Sequence, residues 1–154
     1  MNSIRDEVSG PAVKSAILAE RIFDGRRWHA NAGVLVAEGR VLGLAPWEQI
    51  PQTISLTRLP AGAVLAPGFI DLQVNGGKGV LLNDQPTAEG MRAIAKAHRR
   101  FGTTACLPTF ITDTRDRMKK AIDAARSVSG THGILGLHLE GPFINPQRPG
   151  VHSR

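Results

Sequence analysis

The side chains best suited to chemistry sit in His138-Leu139-Glu140-Gly141-Pro142-Phe143. Successive side chains of an extended strand alternate between its faces, so His138 and Glu140 project from the same one. If that strand is parallel to its neighbours and ends here, the pair stands where parallel barrels gather their catalytic groups. A carboxylate in that position can ligate a divalent metal, with neutral imidazoles contributed from elsewhere. The residues alone also allow a second reading, in which His138 is a hydrogen-bonded core histidine and Glu140 a charge at the start of a loop. Other candidates read as structural. Gly76-Gly77-Lys78-Gly79 fails the phosphate-loop pattern, because position 72 is Leu and position 79 is Gly, and reads as a tight loop. The single cysteine, Cys106, reads as a small buried strand residue, since free Cys is among the most buried types. His98 on the apolar side of a helix and His29 in a β segment are expected to be structural, and His132 to lie in a loop.

These groups need a scaffold, and the pattern supplies one. Residues 14–65 form a small β unit, with strands over Ala16 to Ile22, Val34 to Ala37 and Arg40 to Leu44. Turn signals at Asp24-Gly25 and Glu38-Gly39 separate them, and Gly39 suits the positive φ of a tight hairpin. From residue 66 strands and helices alternate. Phe69 to Val74 is a mostly apolar strand after Pro67-Gly68. Pro86-Thr87 then opens a helix with Met91, Ile94, Ala95, His98 and Phe101 on one stripe, stopped by Gly102. Thr104 to Phe110 is the next strand. Asp113 is placed to cap a second helix, with Asp116 in its first turn and Met118, Ala121, Ile122, Ala125 and Val128 as the buried stripe, ended by Gly130. Gly133 to Leu139 completes βαβαβ, a pattern that implies parallel strands.

Composition bounds the partners. The 154 residues carry 19 Lys+Arg against 13 Asp+Glu, a net charge of +6, with 42% hydrophobic and 21% charged residues, close to an ordinary folded domain. The basic residues are scattered in ones and twos, Tyr is absent, and no aromatic series is interleaved with them, which argues against nucleic acid. No apolar run approaches the roughly 20 residues that a membrane helix needs. Residues 1–13 have no signal-peptide core and read as a flexible N-terminus; with a lone cysteine, this points to the cytoplasm. A full (β/α)8 barrel requires about 250 residues. Three parallel strands with an unpaired edge, 14 residues before Arg154, therefore look cut off rather than finished.

One stretch places these pieces in a family context. Leu65-Ala66-Pro67-Gly68-Phe69-Ile70-Asp71-Leu72-Gln73-Val74-Asn75-Gly76 is followed by Gly77, Gly79, Asn83 and Asp84. Then come Thr103-Thr104, Leu107-Pro108-Thr109 and His138-Leu139-Glu140-Gly141-Pro142-Phe143. In that order and spacing they resemble the amidohydrolase superfamily and, within it, the N-acetylglucosamine-6-phosphate deacetylase family, from about residue 16 onward. The resemblance implies an α/β fold: a partial (β/α)8 TIM-like barrel, its first three strands, preceded by a small β-sandwich-like unit. It implies one divalent metal ion, zinc or iron, with Glu140 as ligand, two further histidines from later strands, and Gln73 bordering the metal site. Many relatives have His-x-His where this sequence reads Gln73-Val74-Asn75, and an amide is a far weaker ligand than imidazole, so a second ion is not expected. Val151 and His152 are implied as substrate contacts, the imidazole helping to polarise the amide carbonyl. The family's general base, an Asp from the last barrel strand, has no counterpart here, so no catalytic residue proper is assigned within this chain. The implied reaction is hydrolysis of the acetamide of N-acetylglucosamine 6-phosphate to glucosamine 6-phosphate and acetate, in amino-sugar catabolism. The missing half of the barrel would be a partner or a continuation, and the complete enzyme a homodimer. The 154-residue chain alone is expected to be inactive. The alternatives are another amidohydrolase acting on an amide or a cyclic imide or ureide, and a non-catalytic remnant.

Overall fold

In the computed structural model, which describes residues 12–152, the two turn signals are used as hairpins. Strand β1 (Ser15–Phe23) runs antiparallel to β2 (Trp28–Ala37), and β2 antiparallel to β3 (Arg40–Pro46). Between β2 and β3 only Glu38 and Gly39 are unpaired, with φ of 50° and 74°; positive φ at both central residues is the primed turn that matches strand twist. Between β1 and β2, Asp24 holds the loop. Its Oδ1 accepts the Arg26 and Arg27 amides at 2.7 and 2.8 Å, and its Oδ2 lies 2.7 Å from His29 Nε2. The His29 hydrogen bond, then those amides, lower the Asp24 carboxyl to about 2. His29 is thereby accounted for as a structural residue.

Two short parallel strands, β4 (Ser55–Arg58) and β5 (Val64–Leu65), pair with β1, so β1 is central in a sheet ordered β3-β2-β1-β4 with β5 also beside β1. The sequence predicted the hairpin but not the first half of β2, Trp28-His29-Ala30-Asn31-Ala32, which has no β-branched residue, nor β4 and β5. All five strands belong to one sheet, where a sandwich-like unit was expected. Ala16 and Leu18 pack under Ile50 and Trp47, whose indole donates to the Ala32 carbonyl at 2.8 Å. The opposite side, with Ile17, Val34, Val36 and Leu44, opens on an apolar cavity of about 520 Å³.

From Gly68 onward a second unit contains β6 (Phe69–Val74), α1 (Ala88–Arg99), β7 (Thr103–Ile111), α2 (Arg115–Val128) and β8 (His138–Glu140). The three strands are parallel with β7 in the middle, and both helices join one core with it through Met91, Ile94, Ala121, Ala125, Cys106 and Phe110. Thr87 caps α1 by accepting from the Gly90 amide. The predicted stripe holds through Ala95, but Phe101 lies past the end of the helix and is 70% exposed. Cys106 is buried, and burial, with Asp71 nearby, pushes its thiol above the usual range.

Two expectations are corrected. Thr114, not Asp113, caps α2, by accepting from the Arg117 amide, because the Asp113 carboxylate is committed elsewhere. The third strand is shorter than Gly133 to Leu139. Ile134 bridges to Cys106 and His138 pairs with Thr109, so between these pairs two residues of β7, Leu107 and Pro108, face three of the incoming chain, Leu135 to Leu137, and a one-residue bulge interrupts the ladder. Gly133 makes that approach possible. Its φ is +77° and a Cβ there would lie 2.3 Å from the Thr104 carbonyl oxygen, whereas Gly130, at φ +78°, has open space around it. Gly133→Ala is expected to destabilise the protein by about 2–4 kcal/mol, from strain plus overpacking. Gly130→Ala should cost about 1 kcal/mol, from the backbone term alone. Urea unfolding of both variants checks this, and equal effects would mean that the chain relaxes freely at Gly133.

Candidate functional site

Alternation along β8 sorts its side chains as the sequence requires. Leu139 joins Ile122 and Ala125 of α2 in an apolar hollow on the helix side. His138 and Glu140 lie on the other face, where Thr109 Oγ1 of β7 meets His138 Nδ1 at 3.2 Å. Thr109 is itself a buried polar residue, 2% exposed, so its hydroxyl and this ring nitrogen satisfy one another. His138 is therefore fixed by a neighbour in register, opposite Thr109.

Glu140 is the point on which distant residues converge. Gln73, near the end of β6, donates its Nε2–H to Glu140 Oε2 at 3.0 Å, across 67 residues of sequence. His152 Nε2 lies 3.4 Å from the other oxygen, Oε1. The two strands flank β7, so this meeting takes place over its C-terminal end. The His152 side chain is only 7% exposed, and its Nδ1 is buried without a hydrogen-bond partner among the described residues. Buried polar atoms are nearly always partnered, so this nitrogen is an exception among the described residues. Val151, by contrast, is 85% exposed. Gln73, Glu140 and His152 thus come together; Val151 does not join them.

The loop after β6 closes tightly. Gly77 and Val80 bridge each other, and His98 Nε2 donates to the Gly76 carbonyl at 2.9 Å, tying the loop to α1. A Cβ on Gly76 would lie 2.5 Å from the Val80 carbonyl oxygen, so Gly76 answers to packing rather than to phosphate. His98 is partnered and structural in that sense. His132 lies in the loop after α2, with φ of 53°, and its carbonyl accepts from Arg99 at 2.8 Å.

As a ligand set these residues are incomplete. Among the described residues no group of three His, Cys, Asp or Glu is placed to hold a metal ion. Glu140 supplies one anionic donor, held in orientation by Gln73. Sequence reasoning missed the polar contacts that brace it. Thr112 Oγ1 donates to the Glu140 carbonyl at 3.4 Å, and Asn83 binds the end of β7. Asn83 was visible only as one letter of a longer pattern, with no local feature announcing its partner 28 residues away.

The sequence model of the amidohydrolase family matches residues 64–154, more than half of the chain. The chain belongs to the amidohydrolase family. Members of this family are in general metal-dependent, which suits a carboxylate at the end of a parallel strand. Among curated relatives of this amidohydrolase chain, an N-acetylgalactosamine-6-phosphate deacetylase of Shewanella sp. (strain ANA-3) is 47% identical over 126 residues, covering 79% of this chain and 32% of the relative. An N-acetylglucosamine-6-phosphate deacetylase of Haemophilus influenzae is 41% identical over 93 residues, covering 59% and 24%. Among solved structures, N-acetylglucosamine-6-phosphate deacetylase from Pasteurella multocida superposes with a TM-score of 0.84 at 30% identity, over 91% of this chain and 37% of that one. The amidohydrolase chain thus spans a third or less of the length of these curated relatives. The α/β architecture agrees with these structures, and no helix among the described residues is long and apolar enough to cross a membrane.

Proposed function

We propose that this chain is part of a metal-dependent amino-sugar-phosphate deacetylase that hydrolyses the acetamide of N-acetylglucosamine 6-phosphate to glucosamine 6-phosphate and acetate. The observation behind the reading is the convergence of Gln73 and His152 on the two oxygens of Glu140, at 3.0 and 3.4 Å. The family and its deacetylase relatives give that convergence a chemistry. In this reading β6, β7 and β8 are the first three strands of a (β/α)8 barrel, within a domain over residues 66–154. Residues 14–65 are a small β domain whose open apolar side belongs to a sandwich. The expected flexible segment over 1–13 lies, for residues 1–11, outside the described residues.

The donor chemistry fits one anionic ligand of a single divalent ion, and Glu140 is the residue that would provide it. Zinc or iron bound there supplies Lewis acidity toward an amide carbonyl. This chain's own part is to orient and to polarise. Gln73 fixes the Glu140 carboxylate by donating to Oε2. His152, held near Oε1, offers an N–H donor to the oxygen on which charge develops during attack, the oxyanion-stabilising role. Val151, exposed beside it, would contact the sugar. The general base and the remaining ligands belong to other parts of the enzyme, so the 154 residues alone are expected to be inactive. The complete enzyme is proposed to be a cytoplasmic homodimer with no nucleic-acid partner.

A second substrate follows from a specific observation, the 47% identity to an N-acetylgalactosamine-6-phosphate deacetylase. The two sugars differ at one ring carbon. Acetate release by the full-length gene product, with zinc or iron restored, should therefore be measured on both. Turnover of the gluco sugar supports the proposal, turnover of the galacto epimer alone moves the substrate, and turnover of neither removes the deacetylase reading.

A further inference from the structure

Strand β7 outruns its neighbour. Its last pairing with β6 is Val74 opposite Pro108, while β8 pairs with Thr109, Phe110 and Ile111 and places Glu140 opposite Ile111. The segment of β7 that carries β8 thus has no β6 residue in register along its other edge. Unpaired backbone groups there would leave the segment free to shift.

The side chain of Asn83 occupies that edge. Its Oδ1 accepts from the Ile111 amide at 3.0 Å and its Nδ2 donates to the Ile111 carbonyl at 3.1 Å. An amide side chain has the same donor and acceptor as a peptide unit, and here it pairs with one strand residue as a neighbouring strand would. The orientation is fixed by its partners, because Ile111 N–H requires an oxygen and the Asp113 carboxylate, 3.1 Å from Nδ2, requires a donor. Asn83 is in turn held by its own backbone, whose carbonyl accepts from Arg117, and Arg117 Nε stands 3.1 Å from Asp113 Oδ2 as an ion pair without hydrogen-bond alignment. Although burial pulls the Asp113 carboxyl upward, the Thr114 amide, Asn83 and Arg117 bring it below its ordinary value, so the acceptor stays ionised. Leu82, fully buried in the core, anchors the turn.

We propose that Asn83 is a positioning residue for Glu140: by pairing with both backbone groups of Ile111 it completes the β6 edge and fixes the end of β7 against which Glu140 is registered. The inference rests on the reading of Glu140 as an ion ligand, and it deepens that reading, since nothing in the local sequence of Asn83 touches the site.

The test uses the full-length protein with Asn83→Asp, which keeps the acceptor and turns the donor into a second anionic oxygen facing Ile111 and Asp113, and with Asn83→Ala. Zinc affinity is read by competition with a chromophoric chelator, and kcat and KM by acetate release. The expected result is zinc binding about 10–100-fold weaker, the range for residues that orient a ligand, with kcat falling and KM staying within about threefold. Variants that lose thermal stability but keep wild-type zinc affinity and kcat would show that Asn83 only holds the fold, and the proposal would be wrong. Should neither variant fold, hydrogen exchange on the wild type decides: the Ile111 amide is expected to be as protected as those of Cys106 and Phe110, and exchange at the rate of an open loop overturns the pairing. A wild type that binds zinc but releases no acetate would remove the deacetylase reading and leave the zinc comparison to judge Asn83. A wild type that takes up no zinc would remove both.

Discussion

Glu140→Ala in the full-length protein is expected to abolish stoichiometric metal and to lower acetate release by at least a thousandfold. Residues that only orient a metal ligand cost about 10–100-fold in affinity when removed, and a carboxylate ligand itself should exceed that range. Glu140→Gln separates charge from shape. The glutamine can keep a hydrogen bond to Gln73 and the contact with His152, but it offers a neutral amide in place of an anion, a much poorer donor to a hard or borderline cation. It should therefore resemble alanine in metal content while keeping more of the thermal stability. Metal analysis after extensive dialysis, together with zinc titration of each variant, reads the outcome. Retention of tight, stoichiometric metal by either variant would mean that the ion lies elsewhere and that Glu140 serves only to brace β8.

His152→Ala should give the complementary pattern, with metal retained and turnover lost. Removing one preorganised donor to a developing oxyanion costs about 10²–10³ in kcat, and the same is expected here. Because His152 lies 3.4 Å from Glu140 Oε1, some loosening of the metal is also expected, by no more than about tenfold. His152→Gln, which can present an N–H from a side chain of similar reach, should recover part of the lost rate. A His152→Ala enzyme with wild-type kcat and raised KM would assign the imidazole to substrate binding alone. Unchanged kinetics would leave its burial as mere packing.

The period-2 alternation that sets His138 and Glu140 on one face was legible in the sequence, because it needs only the strand itself. So were both helices, whose apolar stripes and terminating Gly residues act within a few turns of chain, and the Glu38-Gly39 hairpin, whose geometry lies in two consecutive residues. The order and spacing of the family motifs further made the amidohydrolase assignment available before any coordinates.

Tertiary structure decided what depends on register between distant segments. Gln73 meets Glu140 only because β6 and β8 flank the same strand, 67 residues apart. Asn83 pairs with Ile111 only because β7 extends beyond β6, a mismatch in strand length that no single strand encodes. The exchange of Asp113 for Thr114 as the cap of α2 is in part of the same origin, since the Asp113 carboxylate is occupied by the distant Asn83, together with the Thr114 amide and Arg117. Local preference fixes which residues can form an element. Which side chains then meet across the end of a sheet is set by pairing registers whose determinants lie tens of residues apart, and there the fold had to be seen.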